Sequence, residues 1–357
     1  MAGLSAALIA LSAAAAHAQT ASAPPSRFEI EAYGGFGRLL DAGEATLSLP
    51  PAGPPITTSS PMFPSRAVPS WFFGDGAALL NGVNAELGLA PRITPLDAAI
   101  AKIGRSAESG GGMGIRLRRR TAPRVWTEFA IDVTSSSSSV TDSLMESVGQ
   151  TRGSFVQAMT SLFASGPFTG TSVTATATQA GGSWRDVTAT LAANVELDAI
   201  AGLTPSLTLG GGFVTRTGTE PTVTLEGRYR TKILGAVPID ETDRVTIRGE
   251  ASTAPAVVFG AGLSRAIAGR LSLRLDTRMM VANRTISTTL DATPTVASGA
   301  PADYIESFTN PSVQFSNNAA TGRVSSLSGA ALDHADVARS TRLQARVIIT
   351  LGVAFRF

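Results

Sequence analysis

The dominant pattern in this chain is a strict alternation of apolar and polar positions, which is typical of β-strands with two different faces. It is clearest at the C-terminus, where one face of the last segment is entirely apolar: Leu343, Ala345, Val347, Ile349, Leu351, Val353, Phe355 and Phe357. Seven other segments repeat the pattern: 28–34, 113–118, 125–133, 187–197, 203–214, 257–264 and 271–279. The chain therefore predicts eight strands.

The lengths of the connections predict how these strands are arranged. Short connections lie near 119–124, 198–202 and 265–270, and they alternate with long ones at 38–110, 134–185, 215–255 and 283–340. Transmembrane β-barrels have this asymmetry, with tight turns on one side of the membrane and long loops on the other. We therefore expect an all-β fold, a single antiparallel transmembrane β-barrel of eight strands with long external loops.

Two alternatives to this fold remain open. Three β-like stretches inside the long connections, 173–177, 222–229 and 244–250, either prolong the strands above the membrane or raise the count to ten or twelve. A soluble β-sandwich also has alternating strands, but its apolar faces form the core and its polar faces meet water. Small residues on the polar faces, such as Gly260 and Gly352, favour the crowded interior of a barrel instead.

The polar faces of the predicted strands also carry charges of both signs in nearly equal number. An unpaired charge in so confined an interior is costly, so we expect cross-strand Arg–carboxylate pairs in the lumen. The predicted lumen network consists of Glu29, Glu31, Arg116, Arg118, Glu128, Asp132, Glu196, Arg274, Asp276, Arg278, Arg342, Arg346 and Arg356.

Two helices are predicted inside the long connections. The first has Thr94 as its N-cap, Pro95 at its first position and Gly104 as its stop. The second covers 142–164, and its apolar residues recur at mostly helical spacing, which favours packing on the barrel rim or on a neighbouring loop over contact with the outer leaflet or a partner. The segment 71–73, Trp-Phe-Phe, is either an interfacial anchor or the core of a loop.

The N-terminus has the pattern of an export signal. Residues 6–16 form an apolar stretch of 11 residues that is interrupted only by Ser12, followed by the small-x-small motif Ala16-His17-Ala18. The run is too short for a helix that spans a hydrocarbon core of ~30 Å, and it suits a secretory signal, although no Lys or Arg precedes it. We expect a signal peptide over 1–18, cleavage after Ala18, and a barrel domain over 19–357.

Composition limits the chemistry that is open to the chain. It has 357 residues, no cysteine and a net charge of +2, which excludes a disulfide framework and Cys-ligated metals and gives little support to nucleic-acid binding. After removal of the signal, His334 is the one histidine, and we interpret it as a solvated loop residue rather than a catalytic base. No metal, cofactor or catalytic residue is therefore predicted.

Two further motifs have plain structural interpretations. The run Asp240-Glu241-Thr242-Asp243 matches no defined calcium loop, and we interpret it as an acidic turn. The glycine runs at 110–114 and 210–212 match no phosphate-binding fingerprint, and they indicate strands that bend or pack closely.

The terminal strand 347–357 and the opening strand 28–36 resemble those of small outer-membrane β-barrel proteins, of the outer-membrane-protein-A and W transmembrane-domain type. In that family, an alternating last strand with a terminal Phe is the assembly signal that the barrel-insertion machinery reads. The resemblance covers about a third of the chain. It implies an assembly role for Leu351, Val353, Phe355 and Phe357.

These observations lead to one functional expectation and one alternative. We expect a non-enzymatic outer-membrane barrel with a structural or surface-interaction role, and the alternative is a porin-like channel for small solutes. An outer-membrane hydrolase ranks third. The expected partners are outer-membrane lipid and, during insertion, the barrel-assembly machinery.

Overall fold

A computed structural model of the protein describes residues 27–40, 46–48, 55–56, 65–100, 109–138, 140–233, 237–296 and 326–357. The strands are β1 (Phe28–Leu39), β2 (Thr46–Leu47), β3 (Pro55–Ile56), β4 (Ser65–Arg66), β5 (Ser109–Ala122), β6 (Val125–Ser138), β7 (Phe168–Ala180), β8 (Gly182–Glu196), β9 (Thr204–Thr219), β10 (Thr222–Ile233), β11 (Val237–Ala251), β12 (Ala254–Ala268), β13 (Leu271–Val296) and β14 (Leu332–Arg356). The helices are α1 (Gly74–Glu86), α2 (Asp97–Ile100) and α3 (Asp142–Ala164). The predicted export signal lies outside the described residues.

Eight of the strands close into an antiparallel barrel. Their order around the ring is β1, β5, β6, β8, β9, β12, β13 and β14, and the pairing of β14 with β1 closes it. Each of the eight predicted segments is one strand of this ring, so the predicted fold class is confirmed.

The outside of the barrel is covered by large apolar side chains. Met113 is 70 % exposed, Leu191 is 61 % exposed and Leu209 is 65 % exposed, whereas the residues that alternate with them point inward. A soluble sandwich would bury such side chains in its core, so the structure does not fit that alternative. An apolar outer band around a polar interior is the arrangement of a transmembrane β-barrel.

One end of the barrel, here called the turn end, carries the short connections near 119–124, 198–202 and 265–270. The start of β1 and the end of β14 also lie there. The amide of Phe28 donates to the carbonyl of Phe357 over 3.1 Å, and the amide of Phe357 donates back over 2.9 Å. The ring of Phe357 stacks on those of Phe28 and Phe355, with centroid distances of 5.9 and 6.3 Å. The last strand therefore leaves no unpaired edge in the barrel wall, as hydrocarbon surroundings require.

At the opposite end, β13 and β14 continue beyond the barrel, with total lengths of 26 and 25 residues. Where the pairing of β12 with β13 ends, β11 takes its place along 286–296, and β10 and β7 follow outward. An open sheet thus grows out of the barrel wall. We call this sheet and the helices α1–α3 the distal module.

The three β-like stretches in the long connections therefore have a different role from either alternative. They are the strands β7, β10 and β11 of the open sheet, so they neither prolong the eight barrel strands nor increase their number. The described parts of the long connections largely belong to a folded module rather than to separate loops.

The distal module has its own apolar core between the open sheet and the helices. Trp71 and Phe72 are fully buried in it, and the ring of Phe72 lies 5.0 Å from that of Phe155 on α3. The segment 71–73 is thus the core of a loop and not an interfacial anchor. The predicted helix 142–164 is confirmed, and all five residues of its apolar stripe are buried: Leu144, Val148, Phe155, Met159 and Leu162.

The other helices differ from the prediction. α2 begins at Asp97 rather than at Pro95, and its expected C-terminal part lies outside the described residues. α1 was not predicted, because its sequence GDGAALLNGVNAE contains three glycines and no regular apolar stripe. Among the described residues, no helix is both long and apolar enough to cross a membrane.

The outward position of Val353 leads to the first prediction. Its side chain is 42 % exposed on the outer face, three residues before the end of β14 at Arg356. On a lipid-facing position an Arg costs about 2–4 kcal/mol at the bilayer midplane and about 0–1 kcal/mol near the interfaces, so the cost at Val353 lies between these values. We expect Val353→Arg to lower the amount of folded barrel in the membrane fraction, measured by heat-dependent gel mobility.

Thr341→Arg is the matched control for this change. Thr341 lies on the same strand but beyond the barrel, where its hydroxyl is within 3.0 Å of that of Thr285. A charge at this position meets water rather than lipid. Equal losses for the two variants would show that Val353 does not face lipid.

Candidate functional site

The candidate site is the interior of the barrel, where the structure brings most of the predicted charges together. Glycines on the inner wall make room for the long side chains. A Cβ added to Gly262 would overlap the carboxylate of Asp276, and one added to Gly352 would overlap that of Glu31. A larger residue at either position would displace one of these carboxylates.

Eight side chains form a central network in the half of the barrel that adjoins the turn end. It consists of four carboxylates and four guanidinium groups, each at most 7 % exposed: Glu29, Glu31, Glu128, Asp276, Arg116, Arg118, Arg274 and Arg278. The equal numbers leave the network with no net charge when all eight groups are ionised. Pairing therefore offsets much of the cost of desolvating them.

Strand register places the first of these pairs directly opposite each other. Glu29 faces Arg118 and Glu31 faces Arg116 across β1 and β5, with nitrogen–oxygen distances of 2.9 and 3.0 Å. Arg118 also faces Glu128 on β6, at 2.7 Å. Three neighbouring strands are thus joined by charged pairs as well as by backbone hydrogen bonds.

Other pairs cross the lumen to the far wall. Arg278 on β13 donates through Nη2 to Glu128 Oε2 over 3.1 Å. Arg116 pairs with Asp276, which also lies on β13 and which Arg274 approaches to 2.9 Å. These contacts connect opposite sides of the barrel through its centre.

The network continues toward the turn end and toward the distal module. At the turn end, Arg356 lies 2.7 Å from Glu29 and 3.3 Å from Glu196. Toward the distal module, the hydroxyl of Tyr33 donates to Asp132, and the guanidinium of Arg116 lies 3.7 Å from the centre of the Tyr33 ring.

A second charged cluster lies around Asp186, in the part of the barrel nearer the distal module. Its carboxylate lies 3.0 Å from Arg216, 3.2 Å from Arg284 and 2.6 Å from Arg346, and Arg216 stacks over the ring of Trp184. An apolar layer of small and medium side chains lies on the wall between the two clusters: Val214, Ala254, Ala256, Val258, Met280 and Ala282.

The predicted lumen residues are thus distributed over three places. The central network contains eight of them; Asp132, Glu196 and Arg356 adjoin it, and Arg346 belongs to the Asp186 cluster. The side chain of Arg342 lies outside the described residues. Sequence reasoning missed Asp186, Arg216 and Arg284, because they fall just beyond the ends of the predicted strands. The alternation in β8, β9 and β13 continues beyond the predicted bounds of these strands, and this continuation could have revealed the three residues.

The predicted assembly residues lie together on the outside of the last strand. Leu351, Val353, Phe355 and Phe357 are 43, 42, 41 and 52 % exposed. Their part in assembly stays a prediction.

His334 lies in β14 rather than in a loop, and its side chain is exposed. Its Nδ1 lies 2.7 Å from Asp333 and 3.6 Å from Asp291. Hydrogen bonding to Asp333 and the nearby charge of Asp291 raise the pKa of His334. The three side chains are within reach of a single cation, but Arg248 already lies 3.0 Å from the carboxylate of Asp291.

The interpretation of residues 240–243 as an acidic turn is wrong, since they lie within β11. Asp240 points outward and pairs with Arg228 and Arg230 at 2.7 and 2.8 Å. Asp243 points into the distal core, where it accepts hydrogen bonds from Ser70 Oγ over 2.9 Å and from the amide of Trp71 over 2.6 Å. Burial raises the pKa of Asp243 to about 7, against the lowering effect of these two hydrogen bonds.

No protein-family model matches the chain, and no curated protein matches it. Among solved structures, it is similar to the outer-membrane protein OprG from Pseudomonas aeruginosa, at 8 % identity and a TM-score of 0.39 over 93 % of this chain and 98 % of that one. It is also similar to a major outer-membrane protein from Thermus thermophilus, at 11 % identity and a TM-score of 0.29 over 92 and 99 % of the two chains. The assignment as a barrel rests on the closed strand order, and the outer-membrane-protein-A/W subtype stays a prediction.

Glu128 provides the second prediction, because it joins β5 and β13 through Arg118 and Arg278. Removal of one partner from a buried ion pair leaves an uncompensated charge and typically costs about 3–5 kcal/mol. We expect Glu128→Ala to lower the free energy of unfolding of the barrel by that amount, measured by urea titration with heat-dependent gel mobility as the readout.

Asp198→Ala is the matched control for Glu128→Ala. Asp198 also pairs with an arginine, Arg124, at 2.6 Å, but the two side chains are 81 and 60 % exposed. An exposed pair contributes about 1 kcal/mol or less. If both variants shift the urea midpoint equally, the central network does not stabilise the barrel.

Asp243 provides the third prediction, which concerns pH. Its pKa is about 7 in the folded chain, against an ordinary value of 3.8. The protonated form therefore stabilises the fold, and this contribution is complete below pH 3.8 and is lost as the pH rises through about 7. We expect the distal module to lose stability from pH 5 to pH 7, by about 1.4 kcal/mol per pH unit.

Urea unfolding followed by tryptophan fluorescence tests this, because Trp71 lies in the distal core. Asp243→Asn keeps an oxygen that accepts from Ser70 and Trp71 but cannot ionise, so it should remove the part of the pH dependence that Asp243 contributes, while the exposed His334 still titrates. Asp240→Asn, on the outward face of the same strand, should retain it. Identical pH profiles for the wild type and Asp243→Asn would contradict the assignment.

Proposed function

We propose that this protein is a non-enzymatic outer-membrane barrel that anchors the distal module and displays it at the cell surface. The observation that carries the proposal is the filled lumen, in which the central network occupies the interior with charged side chains at most 7 % exposed. In the proposed orientation, the turn end faces the periplasm and the distal module faces the outside of the cell. Outer-membrane barrels usually have their short turns in the periplasm and their long loops outside.

The lumen geometry favours an anchor over the porin-like alternative. The interior of an eight-stranded barrel is just wide enough for side chains to fill. Here Arg116 connects Glu31 on one wall to Asp276 on another, and Glu128 connects β5 to β13. Moving either group aside would leave buried charges unpaired, so the network resists opening into a continuous water column.

The length of β13 and β14 supports display of the distal module. A transmembrane β-strand needs about 9–11 residues, less than half of either strand. The remaining residues carry the open sheet and its helices outside the bilayer. The outer face of this sheet holds a polar hollow of about 480 Å³, lined by hydroxyls and by charged residues such as Arg244, Glu226 and Arg248. Such a face suits contact with other surface components.

Conductance in planar bilayers tests the proposal and is the fourth prediction. The purified wild-type protein should show no large, steady single-channel conductance. A variant that combines Arg116→Ser, Glu128→Ser and Arg278→Ser removes the groups that cross the lumen and should conduct. Large, steady conductance from the wild type would contradict the anchor proposal and favour the channel.

The orientation has a separate readout. The chain has no cysteine, so Thr224→Cys, on the outer face of the open sheet, introduces a single thiol. A membrane-impermeant maleimide should label it on intact cells. Labelling only after the cells are broken would contradict surface display.

A further inference from the structure

Among the described strands, β7 forms the outer edge of the open sheet. β7 pairs with β10 on one side, and no other strand in the described part of the chain pairs with its opposite side. Protein chains usually protect such edges with charged residues, proline, bulges or a covering element. The 13 residues FTGTSVTATATQA contain neither a charge nor a proline.

The pairing of β7 is regular along most of its length. One register shift lies near its start, at Gly170 and Thr171, and from Ser172 to Ala180 the strand follows β10 without interruption. A regular, uncharged edge of this length is a template for a further strand.

The sequence of β7 is complementary to itself in the antiparallel direction. Exposed hydroxyl residues occupy one face, and Val173, Ala175 and Ala177 pack against the distal core on the other. If two copies pair about Ala175, residues whose numbers sum to 350 face each other. Thr174 then faces Thr176, and Val173 faces Ala177.

This register joins like faces without charge repulsion. Because paired residues have the same parity, hydroxyls meet hydroxyls on one face and small apolar side chains meet on the other. Cross-strand pairs of threonines are favourable in sheets. A charged peptide would find no charged partner along β7 itself, so the strand fits a second copy better than such a ligand.

We propose that β7 pairs antiparallel with β7 of a second copy of this chain, with the two-fold axis at Ala175, so that the two open sheets become one. The pairing names a partner for the displayed module and in that respect rests on the proposed function. The axis is perpendicular to the sheet, so both helical layers stay on one side and both polar faces stay on the other. Because β13 and β14 run unbroken from the barrel wall into the sheet, the same axis reverses the direction of one barrel, so the paired copies belong to two facing membranes.

Single-cysteine cross-linking of the full-length protein in detergent tests the register, with no native thiol to interfere. Directly opposite residues have Cβ atoms about 4.5–5.5 Å apart, within reach of a short thiol cross-linker. Ala175→Cys should give a covalent dimer on its own. Val173→Cys and Ala177→Cys should give one only when the two variants are mixed.

Thr224→Cys is the matched control for the cross-linking, since it lies one strand inward on β10, opposite Thr178. Its copy in the dimer is three strand spacings away across the sheet, about 14 Å, and is displaced along the strands as well, so it should not cross-link. Equal cross-linking of Ala175→Cys and Thr224→Cys would reveal random collisions and overturn the proposal. Failure of Ala175→Cys to cross-link would overturn it as well.

Charge placement gives an independent test by light scattering of the purified protein. Thr174→Lys combined with Thr176→Lys sets like charges opposite each other. This double variant should have half the protein mass of the wild-type dimer. Thr174→Glu combined with Thr176→Lys sets opposite charges together and should restore the dimer, and heat-dependent gel mobility verifies that both variants are folded. A wild type with the mass of one chain overturns the pairing, whereas wide conductance would overturn the anchor proposal and leave the pairing intact.

Discussion

The pairing of buried charges inside the barrel is the constraint on which the rest of this structure depends. Four carboxylates and four guanidinium groups share a space that is closed to water, and each is stabilised only while its partners stay in place. The register of β1, β5 and β6 is fixed by this requirement, because a shift by one residue would turn the charges toward lipid. The glycines at 262 and 352 follow from the same constraint, since any larger residue would displace a carboxylate.

The continuity of β13 and β14 transmits this order beyond the barrel. Both strands form part of the barrel wall in the half nearer the turn end. In its other half, β13 pairs with β11. The open sheet therefore inherits its position from a wall that the central network holds rigid. The distal core adds its own apolar contacts, but its foundation is the same pair of strands.

Local periodicity predicted the eight barrel strands because each has one face toward lipid and one toward the lumen. It identified β-like stretches in β7, β10 and β11 but could not predict that they form an open sheet, since the pairing of β7 with β10 joins segments about 50 residues apart. β11 was misread for a related reason. Its inward row is Ile239, Glu241, Asp243, Val245 and Ile247, and two acids in an otherwise apolar row resemble a turn. In the lumen, residue types were sufficient to predict the charges, but the separation into two clusters depends on which strands meet.

The two kinds of buried carboxylate in this chain are stabilised in different ways. Those of the central network face guanidinium groups, which keep their charge at every accessible pH. Asp243 receives hydrogen bonds from a hydroxyl and a backbone amide, which are neutral donors. Both donors lie in the segment that leads into α1. The carboxyl group of Asp243 therefore connects the helical layer to the sheet through these two hydrogen bonds. The barrel and the distal module therefore share two strands, but the buried carboxylate of the distal module is held by neutral donors where Ser70 and Trp71 meet β11, and its pKa is raised to about 7.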